Sequence, residues 1–249
     1  MQKTLVIQVE VGNTPGYIYG GDLMSDAVEA AKIMTSHLVP TVERYCEKHG
    51  YDYKKITEYP KDLDITYFNY SSKGESYDFS TGGKNKCSTL IRYLNMFDDD
   101  YDAIVTLDND IWIPTWAEPL PEIKGHHGVE DLGKDYSGFN SQFGVPFNKF
   151  INGGVQMVNK KAGQSLCQYV TEAVKNKTRP IGNLHTDQSF MNHWRAQNIH
   201  HAYLLPIKWN YMVDCHERTF NYKDYNFVHY AGWKGRTTLI QDYSKGIIE

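Results

Sequence analysis

"DAIVTLDNDIWIP" (residues 102–114) is an apolar run that closes on two aspartates one residue apart and then becomes apolar again. Residues two apart on a strand project to the same side, so Asp108 and Asp110 are expected to share one space at the end of a buried strand. Two anions there repel each other and resist desolvation unless a cation neutralises them. Mg²⁺ and Mn²⁺ suit such a pair, because these ions take oxygen ligands and join carboxylates to phosphates. The carboxyl end of a strand is also where open α/β sheets place ligands. The competing reading is a pair of cap or turn aspartates.

Asp-x-Asp by itself says little, because the chain contains it four times: Asp62/Asp64, Asp98/Asp100, Asp100/Asp102 and Asp108/Asp110. The first three lie in polar stretches, where solvated carboxylates need no special account. Only the last follows an apolar strand and precedes "IWIP".

Outward from this stretch the chain alternates strand and helix patterns. "TLVIQVEV" (4–11) is β-branched and reads as a first buried strand closed by "GNTPG". Ala27, Ala31, Met34, Leu38, Val42 and Tyr45 recur at spacings of three and four, predicting a helix over 22–49 with a kink at Pro40 and a stop at Gly50. "YDYKKIT" (51–57) reads as a strand, "KCSTLIRYLNMF" (86–97) as a helix and "YDAIVTLDNDIWI" (101–113) as one central strand. "FINGGVQMVN" (150–159) is a further strand, and 162–176 and 186–198 are helices. "AYLLPIKWN" (202–210) and "YNFVHYAGW" (225–233) read as closing strands. Residues 58–85 lack a sustained period and read as a mobile or ligand-covering loop, and residues 114–149 are again loop-rich; both are expected to shape the acceptor side. The alternation predicts an α/β fold, a mostly parallel sheet flanked by helices.

At 249 residues and 41% hydrophobic content, one large core is expected rather than two thin ones, so a single domain spans 1–249. A net charge of −4 and a pI near 6.2, with no Lys/Arg stripe, exclude a phosphate-backbone binder, and no nucleic acid partner is expected. The sequence shows no signal peptide and no apolar run long enough for an integral membrane segment. Cys46, Cys87, Cys167 and Cys215 are widely separated. Reduced thiols and a cytoplasmic location are expected from that spacing.

The order of several blocks resembles the GT-A glycosyltransferases, nucleotide-sugar enzymes with a Rossmann-like domain whose Asp-x-Asp motif ends a central strand. The blocks are "YCEKHGYDY" (45–53), "TLDNDIWI" (106–113), "FINGGVQMVN" (150–159), "TDQSFMN" (186–192), "LPIKWN" (205–210) and "HYAGWK" (229–234). More narrowly, the chain is similar to the retaining groups related to glycogenin, the lipopolysaccharide galactosyltransferases and the xyloglucan xylosyltransferases. The closing motif departs from His-x-x-Gly-x-x-Lys. His229, Gly232 and Lys234 are one residue tighter, closer to the xylosyltransferase form.

The resemblance implies Asp108, Asp110 and His229 as ligands of Mn²⁺ or Mg²⁺; a neutral imidazole is a competent ligand to such a borderline ion. It implies that Lys234 and the Gly232 amide hold the donor diphosphate and that Lys86 steadies the donor. Asn109, Asn152, Gly153 and Gly154 would approach the donor, and Val9 and Val11 would seat its uracil. Asp187 would bind sugar hydroxyls and Gln188 would lie near the reacting carbon. Each has an ordinary counterpart: a bulge for the glycines, a helix cap for Asp187, core valines, solvated lysines. His126, His127, His200 and His201 read as structural or surface histidines.

The implied activity is a metal-dependent transferase moving a sugar from UDP-glucose or UDP-galactose to an acceptor, with retention of configuration through a same-face displacement. The second hypothesis is a non-catalytic carbohydrate- or nucleotide-binding module. It does not account for the joint presence of Asp108, Asp110, His229 and Lys234.

Overall fold

The structure is a computed structural model that describes residues 2–10, 24–58, 62, 85–131, 148–178, 186–213, 215 and 221–248. For residues 24, 25, 27, 85–89, 186, 187 and 233 it describes the backbone alone. Strand β1 (Thr4–Val9) lies between β2 (Asp52–Ile56) and β3 (Ala103–Leu107), parallel to both. The six-stranded sheet continues through β6 (Ile151–Asn159) and β5 (His126–Glu130) to β7 (Ala202–Leu205). Only β6 runs against the others, since it is antiparallel to both β3 and β5 while β5 and β7 are parallel. The expected mostly parallel α/β sheet is therefore present.

Strand alternation divides the core between the two faces. Leu5, Ile7 and Ile104 pack with Leu90 and Ile91 of α3 (Asn85–Leu94), Leu166 of α4 (Lys160–Lys175) and Phe190 of α5 (Thr186–Gln197). Val6, Val105 and Val155 face the opposite way, onto Val42 and Tyr45 of α2 (Val39–His49).

Several elements differ from the sequence reading, among them the strand expected over 202–210, which ends at Leu205 and is followed by a 3₁₀ turn, Ile207–Trp209. The helix expected over 22–49 is divided: α1 (Met24–Ile33) passes through a wide π-helical stretch, Met34–Leu38, into α2. Pro40 sits in the first turn of α2. Its missing N–H and its ring are tolerated there, so the strain of a mid-helix proline appears as widening just upstream. Gly50 ends α2 with φ 70°, as expected. The single strand expected over 101–113 ends at Leu107. Asp108, Asn109 and Asp110 form a turn, and the chain resumes as β4 (Ile111–Trp112) in a second, three-stranded sheet with β9 (Val228–His229) and β8 (Tyr211–Met212). The closing strand expected over 225–233 is only β9, after which the chain enters α6 (Gly232–Ser244).

Strand β5 lies within a stretch read as loop, and its two histidines are buried. His126 Nδ1 lies 2.7 Å from Arg195 Nη1 and His127 Nε2 accepts from the Lys124 amide at 3.0 Å. His126 Nδ1 and His127 Nε2 each accept a hydrogen bond, so one nitrogen of each ring lacks a proton and both rings are neutral. Burial and then the Arg195 charge push His126 well below the ordinary 6.5, and burial with Arg195 and Lys124 pushes His127 down to about 4. Above 6.5 neither folded nor unfolded chain protonates these rings. Below it the unfolded chain takes up protons that the folded chain refuses, so stability is lost as pH falls from 6.5 towards 4. Each ring contributes at most about 1.4 kcal/mol per pH unit. Urea midpoints at pH 7.5 and pH 5 are expected to fall with acidification, and equal midpoints would contradict the neutral assignment.

Candidate metal centre

The parallel ends of β1 and β3 bring Val9 beside the aspartate turn, and backbone and amide contacts fix its shape. Asn109 Nδ2 donates to Val9 O at 3.0 Å, Gln8 Nε2 to Asp108 O at 3.2 Å, and the Asp108 amide to Gly154 O at 2.9 Å. Tyr53 Oη holds Gln8 Oε1 at 2.9 Å. Convergence of the two carboxylates thus comes from a braced turn rather than from strand alternation.

On the other side, β9 pairs antiparallel with β4, setting His229 opposite Ile111, and Tyr230 N donates to Asp110 O at 3.0 Å. His229 Nε2 lies 3.1 Å from Asp110 Oδ1 and 3.8 Å from Asp108 Oδ2. One ligand atom from each of Asp108, Asp110 and His229 falls within 4.8 Å of the others. The ring fits because residue 154 is glycine. A Cβ there would stand 2.2 Å from His229 Cε1, so any side chain would displace the imidazole.

Burial alone would raise the Asp110 carboxyl. A proton-bearing His229 and the nearby Arg236 outweigh it and hold the carboxyl below the usual carboxylate range. Asp110 is therefore ionised at neutral pH, and its buried Oδ1 receives no well-formed hydrogen bond among the described residues. Two carboxylates and an imidazole nitrogen this close need a cation between them, either the second proton of His229 or a metal ion. The donor set of two oxygens and one imidazole suits Mn²⁺ or Mg²⁺, with open positions for ligand oxygens.

Several neighbours were not singled out from the sequence. Arg92 of α3, 5% exposed, donates to Asp108 Oδ1 and, at 2.6 Å, to Gly153 O. It is the described basic side chain that reaches the aspartates from this helix. The Lys86 side chain lies outside the described residues, as do Val11 and the Asp187 side chain. Asp131, just past β5, accepts from Gln188 Nε2 at 2.7 Å, while Gln188 Oε1 receives the Gly153 amide at 3.2 Å. Gln188 is thus clamped at both ends beside the glycine strand. Asn152 Oδ1 receives the Gly154 amide at 2.8 Å and Asn210 Nδ2 at 3.1 Å.

Gly232 opens α6 with φ 68°, a left-handed conformation that favours glycine, and Lys234 in the first turn is exposed. The free amides of that turn carry the positive end of the helix dipole three residues beyond His229. His200 and His201 lie in a short 3₁₀ turn, both exposed, as expected of surface histidines. Among the described residues no helix is long and apolar enough to cross a membrane.

No family model matches the chain, and no curated protein matches it. Among solved structures it is similar to a glycosyltransferase involved in glycosylation of the major capsid of PBCV-1. That match has 15% identity, 96% of this chain against 99% of the other, and a TM-score of 0.52. The galactosyltransferase LgtC, solved with donor and acceptor sugar analogues, matches at 14% identity over 96% of this chain and 95% of its own, with a TM-score of 0.53. The bifunctional glycosyltransferase WbbM matches at 15% identity and a TM-score of 0.57, with 97% of this chain covering 49% of that one. At these identities the likeness is one of fold, and it agrees with the order of the sequence blocks: the chain has the α/β GT-A fold of these glycosyltransferases.

Proposed function

We propose that the protein is a metal-dependent glycosyltransferase that moves a hexose from UDP-glucose or UDP-galactose to an acceptor with retention of configuration. The observation that carries this reading is the convergence of Asp108, Asp110 and His229 Nε2 at the carboxyl end of β3, on a fold shared with glycosyltransferases. When bound, Mn²⁺ or Mg²⁺ supplies Lewis-acid stabilisation of the departing diphosphate. The chain's own groups do the rest. Asp108, Asp110 and His229 hold the ion, Arg92 keeps the Asp108 carboxylate oriented, and Lys234 with the first amides of α6 attracts the diphosphate.

In this reading Val9 and Val11 flank the base, and Asn109, Asn152 and the backbone at Gly153 and Gly154 border the sugar, with Lys86 a further donor contact. Asp187 takes sugar hydroxyls. Gln188, held by Asp131 and the Gly153 amide, presents a fixed dipole to the reacting carbon, a stabilising rather than an attacking role.

The test requires no known acceptor. A panel of nucleotide sugars is incubated with the protein in Mn²⁺ or in EDTA, and nucleotide release by slow hydrolysis is measured. UDP-glucose or UDP-galactose should release UDP only with metal. Undiminished release in EDTA would remove the metal, and preference for GDP- or ADP-sugars would remove the uridine. In parallel, UDP with Mn²⁺ should protect the fold against heat by about 2.7 kcal/mol at a hundred times its Kd, a gain expected of any ligand bound only by the native state.

A further inference from the structure

Asn210 is completely buried at the end of a 3₁₀ turn, Ile207–Trp209, and its amide spans Asn152 and His229. The polarity of this chain of hydrogen bonds can be worked out from its one unambiguous member. The Gly154 backbone N–H can only donate, and it meets Asn152 at 2.8 Å, so the Asn152 atom facing it is Oδ1. The same oxygen lies 3.1 Å from Asn210, which must therefore present Nδ2. That leaves Asn210 Oδ1 facing His229 Nδ1 at 3.0 Å, and a carbonyl oxygen can only accept. Nδ1 must then bear the proton. Reversing either amide would set donor against donor at Gly154 or acceptor against acceptor further along.

We propose that Asn210 is a positioning residue for the metal centre, holding His229 as its Nδ1–H tautomer so that the Nε2 lone pair faces Asp108 and Asp110. The proposal deepens the metal-site reading and rests on it for its purpose, though not for its geometry. A metal-ligating imidazole needs its other nitrogen fixed by a hydrogen bond, which sets both tautomer and ring plane. Carboxylates or single carbonyls commonly do this. Here a neutral amide does it, and its own orientation is set by the strand that carries Gly154. The glycine whose missing Cβ admits the His229 ring is thus the residue whose N–H fixes the polarity of the relay. Neutrality matters in a centre that already contains two carboxylates: a third beside His229 would add negative charge, whereas the amide orients the ring and adds none.

The experiment uses the 249-residue chain with ¹⁵N-labelled histidine and reads the ring nitrogens of His229 by NMR. The sample contains excess Mg²⁺, a diamagnetic ion, at a pH alkaline enough for the imidazolium to have lost one proton. A cation other than the second imidazole proton then stands between Nε2 and the two carboxylates. Mn²⁺ affinity is measured separately by electron paramagnetic resonance, without any sugar nucleotide. Wild type should retain the proton on Nδ1. Asn210→Leu, which removes the acceptor, should shift it wholly or partly to Nε2 and weaken Mn²⁺ binding by about 10- to 100-fold. Asn210→Asp keeps an acceptor and should keep the Nδ1 proton, a rescue that a purely structural role would not predict.

An Nε2–H tautomer in wild type overturns the proposal, and so does Asn210→Leu with an unchanged tautomer. If Asn210→Leu does not fold, wild type and Asn210→Asp still decide the matter, since loss of the Nδ1 proton in either contradicts the relay. A wild-type protein with the Nδ1–H tautomer and no affinity for Mn²⁺ would support the relay while removing the metal reading proposed above.

Discussion

Asp110→Ala is expected to lower metal-dependent UDP release by about 10³-fold or more, because the Lewis-acid contribution at stake is several kcal/mol, and to leave the protein folded. The two expectations have one cause. Asp110 is not part of the apolar packing. Its Oδ1 lacks a well-formed hydrogen bond among the described residues, and its carboxylate stands close to that of Asp108. In the metal-free chain those like charges oppose each other, and burial adds a penalty that proton-bearing His229 and Arg236 must offset.

Removing the carboxylate takes away a ligand and a like charge beside Asp108, but also the attraction to His229 and Arg236 that keeps Asp110 ionised, so the electrostatic changes oppose each other. Metal-free Asp110→Ala should melt within about 1 kcal/mol of wild type, a range usual for substitutions that break no packing. Only wild type should gain stability on adding Mn²⁺. Thermal unfolding with and without Mn²⁺, beside UDP release, checks both halves. A variant that keeps its activity, or that is stabilised by Mn²⁺ as much as wild type, would remove Asp110 from the metal centre.

The parts of this centre that could be read from the sequence were those with strong local contrast. Asp108 and Asp110 stood out because an apolar run ended on them, and His229 because it closed a block whose order resembles a known family. The local structure was less legible. "DND" has turn composition, and it takes the chain out of one sheet and into another, yet the apolar residues on either side suggested a single strand. Arg92 carried a usable signal: Leu90, Ile91, Tyr93 and Leu94 around it are all apolar, so a charge in their midst faces a packed interior. Asp131 and β5 were hidden because "HHGVE" has almost no apolar residues, its burial depending on side-chain hydrogen bonds from elsewhere in the chain. Helix α6 was hidden because Gly232 and Gly235 are poor helix formers. It is held instead by tertiary packing, with Tyr230 and Leu239 in the cluster that also buries Ala30 and Ile33 of α1.

The second large effect lies away from the metal centre, at Arg195. Its side chain is 0% exposed, and among the described residues no carboxylate pairs with it. Burial pulls the guanidinium down to about 9, still high enough to keep it charged at neutral pH. What offsets the desolvation is a full set of acceptors. Nε and Nη2 donate to Lys149 O at 3.2 and 3.0 Å, Nη2 also to Tyr203 O at 3.1 Å, and Nη1 to His126 O at 2.9 Å and His126 Nδ1 at 2.7 Å. One planar fork thus joins the start of β6, β5 and β7, and of these β5 is the strand to which the sequence supplied few apolar residues. His126 passes the constraint on, its Nε2 facing Gln156 Oε1 at 3.2 Å while Gln156 Nε2 donates to Gly153 O at 3.0 Å.

Arg195→Met keeps the length and much of the volume but leaves three carbonyls and an imidazole nitrogen without their donor. At about 1–3 kcal/mol for each unsatisfied buried group, partly relieved by relaxation and water, the loss should be on the order of 4 kcal/mol or more. For a chain of this size that corresponds to a fall in Tm of about 8–16 °C. Arg195→Lys retains the charge but cannot span the same acceptors in one plane, so it should recover only a minor part. Circular dichroism melts of the three proteins at pH 7.5 measure the effect. A methionine variant melting within about 2 °C of wild type, a shift of 1 kcal/mol or less, would mean that the β5–β7 half of the sheet is held by something other than this fork.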